Sequence, residues 1–266
     1  MQFFRDKVVL ITGGSSGIGR ATALRLAGYG AKIAVAARSQ GPLQEVVKAA
    51  VDLGTEALAV PTDVTETEQC RRAVENTIAR FGRLDILICS AGLSMRAYFE
   101  HSDLAAMERV MRVNFLGTLN ATHFALPHIK KSRGSLVALS SLTDLRGVPS
   151  YAVYGASKFA IRGFYESLRL ELRREGVHVG VVAPGFVDTP LRDQVLGPDG
   201  RPWEKPPPPP FRIWPVEKCV DRIVRLIVWR RARISLPWFL GPLFWLDEIV
   251  GRMIGNWILR YMFPPV

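Results

Sequence analysis

Cysteine is scarce in this chain. Only Cys70, Cys89 and Cys219 are present; their number is odd, they are widely scattered, and none falls in a CxxC or Cys/His spacing. A disulfide framework or a structural zinc site is therefore not expected. Acidic residues are also in short supply, 24 Asp and Glu against 35 Lys and Arg, which leaves a formal net charge of +11. A field of that sign attracts a phosphorylated cofactor, anionic lipid or nucleic acid. No recognised nucleic-acid motif accompanies the charge, so nucleic acid is not the expected partner. Apolar runs long enough to span a bilayer are missing as well. The uncharged stretch Ile234 to Leu246 is too short, contains Pro237 and Pro242, and is followed by Asp247, Glu248 and Arg252. The amino terminus, MQFFRDKVVLITGG, enters a strand without the basic, apolar and small-residue regions of a secretory signal. A reducing cytoplasm is the expected compartment, with peripheral contact at a membrane surface as an open alternative.

What the chain does have is alternation. Lys7 to Thr12 (KVVLIT) is a short β-branched run of the kind buried on both faces of a parallel sheet. A helical pattern follows from Gly17 and stops at Gly28 to Gly30. Further strands are expected at Ala31 to Ala37, Ala57 to Val60, Leu84 to Cys89, Ser135 to Ser140, Val177 to Ala183 and Arg233 to Leu236. Between them fall helical patterns after Gly41-Pro42, over Glu66 to Phe81, Asp103 to Ile129, Ala152 to Glu175 and Val216 to Arg230. This rhythm predicts one α/β domain over residues 1–266, a Rossmann-type doubly wound parallel sheet of about seven strands with helices on both faces.

The texture changes in residues 190–215, which include GPDGRPWEKPPPPPFRIWP. Regular helix or central strand is excluded there. Two readings remain, a surface linker and a lid over a substrate cleft. Beyond it, residues 237–266 form a strongly apolar extension, and all six tryptophans lie after residue 200. Basic residues gather nearby at Arg212, Lys218, Arg222, Arg225, Arg230, Arg231 and Arg233. The extension reads either as packing in the core or between copies of the chain, or as an interfacial segment against lipid.

Between the first strand and first helix lies Thr12-Gly13-Gly14-Ser15-Ser16-Gly17-Ile18-Gly19. Glycines at such a turn let backbone amides approach a pyrophosphate, which then rests at the positive end of the helix. The end of the second strand should meet the adenosine ribose, where a carboxylate would favour NAD. The chain has Ala36-Ala37-Arg38 instead. Arg38 can hold a 2′-phosphate, with Ser15 or Ser16 adding a hydrogen bond, so NADP(H) is the expected cofactor. Later, Tyr154 and Lys158 stand four apart at the start of a helix and share a face. A carbonyl reduced by hydride needs a proton at its oxygen, which a tyrosine can give; a nearby ammonium would lower the phenol's pKa.

The loop matches the TGxxxGIG pattern and, with the YxxxK pair, resembles the short-chain dehydrogenase/reductase superfamily over about Lys7 to Thr189. The segment YGASKFAIRG is similar to reductases of ketosphinganine and to hydroxysteroid dehydrogenases. The resemblance implies a catalytic set of Asn114, Ser141, Tyr154 and Lys158. In it Ser141 orients the carbonyl, Tyr154 donates the proton, Lys158 also holds the nicotinamide ribose, and Asn114 supports a water chain to Lys158. It further implies that Asp63 and Val64 contact the adenine, that Ser90, Ala91 and Gly92 line the cofactor, and that Pro184, Gly185, Val187 and Thr189 lie against the nicotinamide. One departure is plain: Cys89-Ser90 replaces the family's Asn-Asn. The expected activity is reversible NADPH-dependent reduction of a ketone to a secondary alcohol on a lipophilic substrate, in a dimer or tetramer. A non-catalytic NADP-binding sensor or scaffold of the same fold is the rival.

Overall fold

The structure, a computed structural model, describes residues 1–205, 208 and 212–239. Seven strands form one sheet: β1 (Val8–Thr12), β2 (Lys32–Ala37), β3 (Ala57–Pro61), β4 (Ile86–Cys89), β5 (Ser135–Leu139), β6 (His178–Pro184) and β7 (Arg233–Leu236). All neighbours pair parallel, in the order β3-β2-β1-β4-β5-β6-β7. The order reverses between β1 and β4, and the site is built at that edge.

The strands are apolar throughout because both faces are covered. Within β1, Val9 and Ile11 join a core with α1 (Gly17–Ala27), α2 (Gln40–Asp52) and α7 (Val216–Val228). Val8 and Leu10 point the other way, into a core with α3 (Thr67–Phe81), α5 (Gly117–Ser132) and α6 (Ala152–Glu171). That is the period-two alternation of a strand, with an apolar residue required at every position. Each fully buried Val, Leu or Ile contributes roughly 1.5–3 kcal/mol, so the two cores hold the layers together.

Two helices differ from expectation. The stretch expected as one helix from Asp103 is α4 (Leu104–Met111), a π-helical turn over Arg112–Leu116, and then α5. Side-chain periodicity cannot reveal such a turn, since the apolar spacing shifts by only one residue across it. The sixth helix stops at Glu171 and passes into a 3-10 turn over Arg173–Glu175, closed by Gly176 at φ 70°.

The proline-rich region is not a free linker where it is described. Arg96 N donates to Leu196 O at 2.9 Å, Leu196 N to Ser94 O at 2.9 Å, and Trp203 Nε1 to Arg96 O at 3.1 Å. Leu196 is buried with Met95, Ala106, Met107 and Val110, which fastens this segment to α4 and the chain after β4. Within the run of five prolines only Pro208 is described, and most of the 237–266 extension lies outside the described residues. Trp238 and Phe239, just after β7, are exposed. Among the described residues no helix is long and apolar enough to cross a membrane.

Candidate active site

The glycine-rich loop is shaped by steric necessity. Gly13 has φ +67°, and a Cβ on it would lie 2.6 Å from Ala91 N. A Cβ on Gly19 would overlap the Gly13 carbonyl oxygen. The loop thus folds back on itself and against the segment after β4, bringing Gly13 beside Ser90 and Ala91. Ala91 N donates to Thr12 Oγ1 at 3.5 Å and Ser90 N to Thr12 O at 3.1 Å, which ties the two strand ends together. Gly17 faces Thr189 and Ile18 packs into the core below. Ser16 caps α1 with extended backbone and no side-chain hydrogen bond. The first amides of α1 therefore lack a side-chain cap. An uncapped helix end behind close-packed glycines fits a pyrophosphate.

Arg38 stands at the end of β2, exposed, with no carboxylate paired to it among the described residues. Asp63 lies two residues past β3, where its Oδ1 accepts from Thr65 N at 2.9 Å and Thr65 Oγ1 at 2.8 Å. Val64 is buried, and its carbonyl accepts from Asn120 Nδ2 at 3.1 Å. On the other side of the site, Gly185 N donates to Leu236 O at 2.8 Å, and Val187 pairs with Trp214. These contacts hold Pro184, Gly185, Val187 and Thr189 as a continuation of β6 beyond the sheet edge. The Cys89 side chain is turned away from this edge. Its Sγ lies 3.9 Å from Thr122 Oγ1 and 3.7 Å from the Tyr165 hydroxyl, and burial pushes the thiol up to about 11. It fills the core where the family pattern has an amide.

Four polar residues meet at the sheet edge. Ser141 follows β5, its Oγ accepting from Thr143 N at 3.2 Å, and its hydroxyl acts on the Tyr154 phenol. Lys158, one turn along α6, is 6 % exposed; its Nζ donates to Leu139 O at 3.0 Å and sits 5.7 Å from the Tyr154 ring centroid. Asn114, in the π-helical turn, is fully buried beside it. Its Nδ2 donates to Leu93 O at 3.0 Å and to Ser157 Oγ at 2.9 Å, while Oδ1 accepts from Leu93 N at 2.7 Å. The Asn114 side chain is thus a brace between the chain after β4 and α6. Ser157, adjacent to Lys158, is the partner that sequence reading missed, because its contact crosses 43 residues.

Ser140 and Tyr151 take no place in this cluster. Ser140 Oγ donates to the Lys158 carbonyl at 3.1 Å, and Tyr151 is buried with its ring 6.0 Å from that of Tyr154. Electrostatics also corrects an expectation. Burial pushes the Tyr154 phenol up to about 12, with the Ser141 hydroxyl opposing this. Burial likewise brings the Lys158 ammonium down to about 8. The protein alone therefore does not make Tyr154 a ready phenolate; it keeps the phenol protonated. Arg233 is displaced from the surface basic cluster as well, since it pairs with the buried Asp144.

Residues 7–198 match the family model described as short chain dehydrogenase. The chain belongs to that family. Among its relatives, the 11-beta-hydroxysteroid dehydrogenase-like 4A of Arabidopsis thaliana is 36 % identical over 250 residues, covering 93 % of this chain and 82 % of the relative. The 11-beta-hydroxysteroid dehydrogenase A of Sesamum indicum is 35 % identical over 268 residues, covering 97 % and 75 %. Two solved structures share the fold. An alcohol dehydrogenase from Thermococcus sibiricus complexed with 5-hydroxy-NADP has TM-score 0.76 at 24 % identity, covering 87 % of this chain and 96 % of that one. A Mycobacterium paratuberculosis short chain dehydrogenase bound to NAD has TM-score 0.77 at 25 % identity, with the same coverage. As a short-chain dehydrogenase, the chain is an oxidoreductase of Rossmann-type fold. The two structures carry different nucleotides, so the choice between NAD and NADP is left to this chain's own residues.

Proposed function

We propose that this short-chain dehydrogenase reduces a lipophilic ketone to a secondary alcohol with NADPH, reversibly. The observation that carries the reading is the meeting of Ser141, Tyr154 and Lys158 at one strand end, with the phenol held protonated. A carbonyl oxygen between the Ser141 and Tyr154 hydroxyls accepts a hydrogen bond from each and takes the phenolic proton. NADPH, when bound, supplies the hydride that the carbonyl carbon takes up, so proton and hydride together convert C=O to CH–OH. Lys158 spends one N–H on Leu139 O and offers the others to the nicotinamide ribose hydroxyls, while Asn114 fixes the backbone on which Gly92 lies close to Lys158. The α1 terminus with Gly13, Ser15, Ser16, Gly17, Ile18 and Gly19 holds the pyrophosphate. Arg38 holds the 2′-phosphate that distinguishes NADP from NAD. Ser90, Ala91, Gly92, Asp63, Val64, Pro184, Gly185, Val187 and Thr189 complete the cofactor wall.

The substrate class follows the surroundings. Leu196, in the described part of the 190–215 segment, packs against Met95 and α4 as a lid over an apolar substrate would, and relatives in this family carry hydroxysteroid dehydrogenase names. Exposed Trp238 and Phe239 support peripheral membrane contact, and exposed Leu116 and Phe159 support a homo-oligomer. Replacing Tyr154 by Phe removes the transferable proton but keeps the ring. Turnover of a ketone panel, read as NADPH absorbance, is expected to fall at least about a hundredfold with NADPH affinity unchanged. Retention of activity would end the assignment.

A further inference from the structure

Asp144 sits three residues after Ser141, and its side chain is completely buried. It ends the 3-10 turn Leu142–Asp144, whose first link is Asp144 N to Ser141 O at 3.1 Å. Two cations from different elements hold it. Arg233 of β7 donates to its Oδ1, and Arg162 of α6 donates through Nη1 to its carbonyl oxygen at 3.0 Å. Arg162 is itself paired with Glu166 at 2.8 Å. The second carboxylate oxygen, Oδ2, is buried without a hydrogen-bond partner. A buried carboxylate left half-satisfied is costly, and a packed apolar residue would cap this turn at less expense.

We propose that Asp144, anchored by Arg233, is a positioning residue of the active site, fixing the Ser141 turn and placing a negative charge behind Tyr154 and Lys158. This rests on the reductase reading above. The groups acting on the carboxylate are Arg233 from β7, Ser140 just after β5 and Arg162 from α6, and its charge acts in turn on Tyr154 and Lys158 of α6. Burial pushes the Asp144 carboxyl above its ordinary value, and the Arg233 charge opposes this. Burial is also the main reason Tyr154 rises and Lys158 falls. The Asp144 charge adds to the first shift and resists the second. Both effects favour a protonated phenol beside a charged ammonium, the form that donates a proton to a carbonyl. The charge thus biases the site toward reduction and carries its alkaline limit upward.

The test compares the wild-type protein with Asp144→Asn and with Asp144→Asn/Arg233→Met, which leaves no unpaired buried cation if the single variant folds poorly. Two readouts are taken: the pH profile of NADPH-dependent ketone reduction, and the titration of Lys158 by NMR of isotope-labelled lysine side chains, assigned with Lys158→Met. Both variants are expected to move the Lys158 titration below about 8, read as a roughly threefold fall in the protonation constant. The alkaline limb of reduction is expected to move with it. A folded double variant whose Lys158 titration and alkaline limb match the wild type overturns the proposal and reduces Asp144 to packing. Absence of wild-type turnover on every ketone would instead defeat the reductase reading, and the Lys158 titration would still decide the role of Asp144.

Discussion

Lys158 carries its ammonium into a place that is only 6 % exposed, and the environment answers by lowering it to about 8 while lifting Tyr154 to about 12. At neutral pH this leaves a neutral phenol and a charged amine, each in the state that proton donation to a ketone requires. The Tyr-Lys pair is legible in the sequence because helical spacing alone puts residues four apart on one face. The place of Arg38 is legible for a similar reason, since it directly follows the second strand, where we propose that it meets the 2′-phosphate. Arg38→Ala is expected to weaken NADPH binding about tenfold, ~1.4 kcal/mol, and to leave NADH binding unchanged, as read by fluorescence titration of both nucleotides. Equal losses for the two would remove Arg38 from the 2′-phosphate site. The Asp144–Arg233 pair could not be read from the sequence. Eighty-nine residues separate the partners, and an aspartate in a turn followed by a late arginine has no pattern that links them.

Elements whose identity depends on their own residues matched their expected places closely. The β-branched runs at Val8–Thr12 and Lys32–Ala37 became central strands because alternation and length sufficed. The π-helical turn at Arg112–Leu116 did not follow from local pattern, since it is fixed by what Asn114 bonds across space to Leu93 and Ser157. The loop before α1 lies between these cases. Its glycines announce a tight turn, but only the fold shows Gly19 pressed against the Gly13 carbonyl and Gly13 against Ala91. Gly19→Ala forces backbone apart at the α1 terminus, and the expected cost is about 1–3 kcal/mol of stability with at least about a tenfold loss of NADPH affinity. Thermal denaturation and cofactor titration read the two effects. An unchanged affinity would show that the loop does not cradle the cofactor.

Across the whole molecule the excess of basic residues acts as a field as well as a set of contacts. Many arginines are tied into local pairs, as with Arg25–Asp221 at 2.7 Å and Arg71–Glu68, yet the net charge of +11 persists over the surface. A positive field speeds the approach of an anionic dinucleotide, and salt shortens its reach. Raising ionic strength from about 0.05 to about 0.3 M is expected to lower kcat/KM for NADPH several-fold and to leave kcat nearly constant; a salt-independent kcat/KM would confine the charge to local roles. The sequence by itself determined the strand-helix alternation, the single sheet, the tight glycine-rich loop and the Tyr-Lys pair, because each follows from periodicity or steric need within a few residues. Only tertiary structure decided that Asn114 is a brace, that Cys89 points into the core, that Leu196 closes onto α4, and that Arg233 serves a buried carboxylate. Those facts depend on which distant side chains share a space too small for water, and the linear order of residues does not encode that distance.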